Sequence, residues 1–157
     1  MPIFIQQFED TKKLFPTLVP VSKRGEFIYA IAAKMEGIVG SGNHSRIEYH
    51  LFADMTNFPS YIPDVFITNI PDAQIKHINV YPAKGCTLLN GYYPYICLGN
   101  LKDALTQYRH LSAFMQGVKR ILNNENYNSP ARQPSGAVSQ AAILELLRRA
   151  GLGNSRP

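Results

Sequence analysis

A chain of 157 residues, 45% hydrophobic and only 17% charged, is long enough to bury a core and too apolar to remain an unfolded polyelectrolyte. Its net charge of +5 suits it to acidic partners in general. The basic residues fall in scattered doublets (Lys12-Lys13, Lys23-Arg24, Lys119-Arg120, Arg148-Arg149) rather than in a patch interleaved with aromatics, so direct nucleic-acid binding is not expected.

No apolar run approaches the ~20 residues that span a bilayer, and Met1-Pro2-Ile3-Phe4-Ile5 lacks the basic start and long apolar stretch of a secretory signal. A cytoplasmic protein without membrane contact is expected, folded as a single domain over 1–157 with 152–157 as a frayed tail. Two cysteines, Cys86 and Cys97, are too few for a disulfide scaffold and are expected to be free thiols. The histidines and cysteines show no metal-ligand spacing, so neither metal nor cofactor is expected.

In chain order, Ile5 to Phe15 reads as a short helix with Phe4, Phe8 and Phe15 (or Leu14) near one face and Pro16 as its stop. Phe27 to Ala33 is rich in strand formers, and the glycines of 37–43 predict a turn. Ile47, Tyr49, Leu51 and Ala53 alternate with Glu48, His50 and Phe52, the period of a half-buried strand. Val65 to Thr68 makes a third short strand after a proline-bounded corner. These runs predict an antiparallel meander of about three strands.

From Pro71 to Asn100 no period holds, which predicts a long irregular segment of the kind that often carries function. Leu111, Phe114, Met115, Val118, Ile121 and Leu122 then form one helical apolar stripe, read as core packing. Ser139 to Ala150 predicts a second helix, with Arg148 and Arg149 at its C-terminal end and Gly151 as its stop. The expected class is α+β, with helices at the ends of an antiparallel sheet.

The candidate chemistry centres on Cys97 in Tyr95-Ile96-Cys97-Leu98-Gly99-Asn100. Around it stand, in order, Phe58-Pro59-Ser60-Tyr61-Ile62-Pro63-Asp64-Val65, His77-Ile78-Asn79, Leu111-Ser112-Ala113-Phe114-Met115-Gln116, and Ile121 to Pro130. This ordered set resembles the core of a ubiquitin-conjugating enzyme over about Phe27 to Pro130. Tyr61-Ile62-Pro63-Asp64-Val65 is similar to the family's proline corner, His77-Ile78-Asn79 to its His-Pro-Asn, and Ile96-Cys97-Leu98 to its Ile-Cys-Leu. Leu101-Lys102-Asp103 and Ile121 to Asn126 match further segments, and Ser129-Pro130 falls on the gate beside the active site.

The resemblance implies the family's fold: an N-terminal helix, an antiparallel meander, a long active-site loop and C-terminal helices. It also implies that Cys97 carries a ubiquitin-like modifier, or a target protein's C-terminal acyl group, as a thioester and passes it to a lysine amine. The incoming thioester is already reactive, so no protease-like base beside the thiol is required, and the protein supplies positioning and oxyanion support. Asn79 is the candidate oxyanion donor, with Asn90 as its rival, although Asn90-Gly91 is also a strong turn signal. His77 orients the loop by hydrogen bonds, and Ser129 either polarises or gates the incoming lysine or simply forms a Ser-Pro turn. Cys86 is read as incidental, and Lys12 and Lys13 either as contacts for an activating enzyme or, equally, as a solvated helix face.

The chain departs from the family's usual pattern. His77-Ile78-Asn79 lacks the proline, the stretch from Asn79 to Cys97 is lengthened, Leu105 stands where a tryptophan is expected, and Thr106-Gln107-Tyr108 replaces the loop that docks RING-type ligases. These departures resemble divergent bacterial relatives from antiphage signalling operons, which implies a partner such as a cGAS-like nucleotidyltransferase. The competing expectation is a non-catalytic binding module on the same fold.

Overall fold

The computed structural model describes residues 3–99, 110–133 and 148–151. Among them, β1 (Ile3–Phe4) leads into helix α1 (Ile5–Leu14), followed by β2 (Val19–Arg24), β3 (Phe27–Gly40), β4 (Asn43–Asp54) and β5 (Val65–Ile67). A single 3-10 turn at Asp72–Gln74 precedes the hairpin of β6 (Val80–Cys86) and β7 (Gly91–Ile96), and helix α2 (Leu111–Asn123) completes the α+β arrangement. The strands form one seven-stranded sheet in which every pairing is antiparallel, ordered β1-β3-β4-β5-β7-β6 with β2 also on β3.

The expected α1, the alternating strand around Tyr49 and the apolar stripe of α2 stand where the sequence places them. Leu111, Phe114, Met115, Val118 and Leu122 are buried, in one core with Ile31, Ala33, Met35, Tyr49, Leu51 and Ala53. Each such side chain contributes about 1.5–3 kcal/mol by leaving water, and this burial seats α2 on one face of the sheet. Two polar contacts fix the helix start. The His110 Nδ1 accepts from the Ser112 amide at 3.0 Å, and the Gln7 Oε1 accepts from the Leu111 amide at 3.3 Å, tying α1 to α2.

Three expectations are corrected. The meander has more than three strands, because β1, β6 and β7 join it. The stretch 37–43 is largely strand: β3 runs to Gly40, and only Ser41 and Gly42 lie between it and β4. Gly37 is there for packing, since a Cβ on it would sit 2.8 Å from the Cβ of Leu122. Finally, 71–100 is not irregular, because most of 80–96 is an antiparallel hairpin. Pro82 and Pro94 hide it from a pattern reading; Pro82 lies within a register shift between Tyr81 and Lys84, where a missing amide is tolerated.

The far face of the sheet has its own small cluster, in which Phe52, Phe66, Ala30 and the buried Cys86 pack with Tyr93, Tyr95 and Leu89. The hairpin is therefore anchored by apolar burial at its tip as well as by its ladder. Of the helix expected over Ser139 to Ala150, Arg148 and Arg149 are helical; 134–147 lie outside the described residues, as do Leu101-Lys102-Asp103, Leu105 and Thr106-Gln107-Tyr108. Among the described residues no helix is long and apolar enough to cross a membrane.

Candidate active site

The hairpin decides where the thiol sits. Its ladder begins at the pair Val80 and Ile96, so the residues just outside its open end are Asn79 and Cys97. The Cys97 amide donates to the Asn79 carbonyl at 2.8 Å. An antiparallel hairpin returns to its starting point whatever its length, and the lengthened stretch between Asn79 and Cys97 thus leaves the two side by side. Cys97 is half-buried and, like Cys86, a free thiol.

Asn90 lies at the other end. It has a φ of 53° at the hairpin tip, and its amide donates to the Thr87 carbonyl at 3.2 Å. Five residue steps along the strand carry the chain from its neighbour Gly91 to Ile96, or about 17 Å at ~3.3 Å each, so Asn90 is a turn residue and cannot reach Cys97.

A cleft of about 450 Å³ opens beside the thiol, with Asn79, Cys97 and Ser129 in its wall together with Arg120, Ile121 and Asn124 of the α2 end. Three of the four expected site residues therefore meet in one place. His77, the fourth, is fully buried and does not line the cleft.

Asn79 docks the segment after α2. Its Nδ2 donates to the carbonyls of Asn126 (3.0 Å) and Ser129 (3.3 Å), and its Oδ1 accepts from the Asn126 amide at 2.7 Å. The same segment is held farther along, where the Ala131 amide donates to the Ile78 carbonyl at 2.8 Å. Arg132 donates to the carbonyls of Val80 (2.5 Å) and Tyr81 (3.0 Å) and pairs with Asp72 at 2.7 Å. Residues 126–132 thus form a strap across 78–81.

Glu125 ties this assembly to the sheet. Its carboxylate accepts from the amides of Ser41 (2.8 Å), Gly42 (3.1 Å) and Ile78 (2.8 Å) and from the Tyr127 hydroxyl (2.7 Å). Burial alone would raise its pKa, but these donors outweigh it and hold the carboxyl below the usual carboxylate range.

His77 lies beneath. Its Nδ1 accepts from the Asn79 amide at 3.2 Å, which leaves the proton of the neutral ring on Nε2. Among the described residues that Nε2 has no hydrogen-bond partner, although the backbone of Ile121 and Leu122 is close enough to favour the protonated ring. Desolvation outweighs this help and the nearby Glu125 charge, and lowers the histidine pKa.

A histidine depressed in the folded state stabilises fully above its unfolded value of ~6.5 and loses that contribution as pH falls below it. Glu125, also depressed, keeps its contribution down to the ordinary carboxylate range and loses it only below ~4.3. Unfolding free energies from urea titrations between pH 8 and pH 5 should therefore hold steady and then fall, by no more than about 1.4 kcal/mol per pH unit for one proton. His77→Gln should flatten that fall; an unchanged slope would remove His77 as its origin.

Tyr81 is the site residue that sequence reasoning missed. The Cys97 Sγ donates to its Oη at 3.4 Å, and its ring lies 4.9 Å from that of Tyr95, its partner in the ladder. The hydrogen bond to Cys97 is the main cause of a raised Tyr81 pKa, so the phenol keeps its proton and can reverse the bond, donating to a Cys97 thiolate. Only the hairpin brings Tyr81 to the thiol, and its signal was the strand pattern that the prolines obscure.

Ser129 is exposed and reaches Asn79 through its backbone carbonyl. Among the described residues no group of three or more histidine, cysteine or acidic side chains could hold a metal ion. No protein-family model matches the chain, and a search of curated proteins finds no match either.

Proposed function

We propose that this chain is a ubiquitin-conjugating-like acyl carrier in which Cys97 takes a ubiquitin-like modifier, or a target protein's C-terminal acyl group, from an activating enzyme and passes it to a lysine amine. The observation that carries the reading is the adjacency of Asn79 and Cys97 at the mouth of an open cleft, kept across a hairpin that fills the lengthened loop. The order α1, meander, paired Asn79 and Cys97, then α2 supports the likeness to the ubiquitin-conjugating fold. A cytoplasmic setting and a role in bacterial antiphage defence, with a cGAS-like nucleotidyltransferase as target, follow from the same resemblance.

In this mechanism the Cys97 thiolate, held by the Tyr81 phenol, attacks the carbonyl carbon of the incoming thioester. A new C–S bond forms, the donor's thiolate leaves and the acyl group rests on Cys97. A lysine amine then attacks the same carbon, the C–N bond forms and the Cys97 thiolate departs, again toward Tyr81. Glu125 is no base for this step, because both its oxygens already accept hydrogen bonds. The amine's proton therefore leaves to water through the open cleft.

Oxyanion support by Asn79 requires it to exchange a bond it now makes, the longer one to the Ser129 carbonyl being the natural choice. That full engagement is the one observation favouring a non-catalytic binding module instead. Cys97→Ser separates the two. A carrier should convert its reductant-sensitive adduct into an oxygen ester that survives reductant and yields to mild base. A binding module forms no adduct with either side chain.

A further inference from the structure

A second cleft, separate from the thiol and independent of the acyl-carrier reading, opens between the α1–β2 connection and the part of β3 beyond its ladder with β2. Its volume is about 390 Å³, within the ~300–1,000 Å³ of typical ligand sites. Leu14 and Phe15 supply apolar wall, and Lys34, Arg46 and Lys119 supply cations, against one carboxylate among the described residues, that of Glu36. Leu14 is 58% exposed although it ends an amphipathic helix. Neither Lys34 nor Lys119 belongs to an ion pair among the described residues, and the Arg46 guanidinium meets only the neutral Asn123 side chain.

The bare edge of β3 is not offered for strand addition. Thr17 Oγ1 donates to the Lys34 carbonyl at 2.6 Å and accepts from its amide at 3.0 Å. The Asn123 Nδ2 donates to the Glu36 carbonyl at 3.1 Å. Recognition here must therefore run through side chains, an apolar one in the cleft and anionic ones around it.

We propose that this groove docks an acidic peptide segment carrying one apolar anchor residue. The net positive charge of the wall selects the acidic residues, and the apolar wall at Leu14 and Phe15 takes the anchor. A phosphate chain would answer the cations but leave the apolar wall uncovered. Lys119 and Asn123 belong to a different face of α2 from Gly117, Arg120, Ile121 and Asn124, which line the thiol cleft, so the two clefts share a helix but no residue.

The test uses the full chain and a fluorescein-labelled peptide of aspartate and glutamate with one central leucine, read by polarisation at two salt concentrations. The expected result is salt-sensitive binding, weakened about tenfold or more by Lys34→Glu with Lys119→Glu. It should weaken by a similar factor when serine replaces the peptide's leucine. Lys23→Glu with Lys76→Glu changes the net charge equally on exposed positions outside the groove and should leave binding intact. Absence of binding, equal loss in both double variants, or indifference to the leucine would overturn the proposal. So would an oligonucleotide of matched charge that binds as tightly and depends on the same two lysines.

Discussion

Gly40→Ala is expected to cost about 4 kcal/mol, among the largest effects any single methyl can have. Gly40 has a φ of 103°, a backbone state that side chains avoid, and the added Cβ would stand 2.4 Å from the His77 Cα and 2.9 Å from the Glu125 Oε2. The first of these is backbone, so no rotamer change relieves it. The turn must move away from 77–78, which pulls the Ser41 and Gly42 amides off the Glu125 carboxylate. At about 2–4 °C per kcal/mol the melting temperature should drop by roughly 8–16 °C. Gly42→Ala is the control: its φ is also positive, 83°, but nothing lies within 4 Å of the new methyl, so only the backbone strain of about 1–2 kcal/mol applies. Equal melting temperatures for the two variants would refute the close packing of the turn on His77.

Asn79→Ala carries the largest expected effect on chemistry short of removing the thiol. Transfer from charged Cys97 to a lysine amine should slow by ~10²–10³, the loss expected when one oxyanion donor is removed. Charging of Cys97 should suffer less, because the Cys97 amide bonds to the Asn79 backbone, which alanine retains. Stability should also fall by about 2 kcal/mol as the Asn126 amide and two strap carbonyls lose their partner. A stability loss with transfer unchanged would make Asn79 a structural tie and nothing more.

The parts of the fold legible in the sequence were those where one face of an element meets the core and the other meets water. The α2 stripe and the Tyr49-Leu51-Ala53 alternation are of this kind, and so is the turn signal of Asn90-Gly91. The hairpin was not, because Tyr92, Tyr93 and Tyr95 put aromatics on both of its faces while Pro94 interrupts the strand. Glycines misled in a second way. Gly37 reads as a turn former but is small because Leu122 and Tyr49 lie against it, a tertiary demand with no local signature.

The same division holds at the site. Asn79, Cys97 and Ser129 were legible as an ordered set, and the structure brings them to one cleft. Tyr81 was hidden with the hairpin that positions it. Glu125 and Arg132 were hidden because most of their partners are backbone groups 47 to 84 and 51 to 60 residues away in the chain. A carboxylate that accepts from three amides and a phenol leaves no motif, only a folded outcome.

The measurement closest to the central claim is the intact mass of the protein after incubation with ATP, an activating enzyme and a ubiquitin-like protein, taken with and without reductant. An adduct of the modifier's mass, less one water, that reductant removes and Cys97→Ala never forms is the result the acyl-carrier account predicts. No adduct on the wild-type chain, from an activating enzyme shown to charge another carrier in the same mixture, would contradict it and leave the binding module.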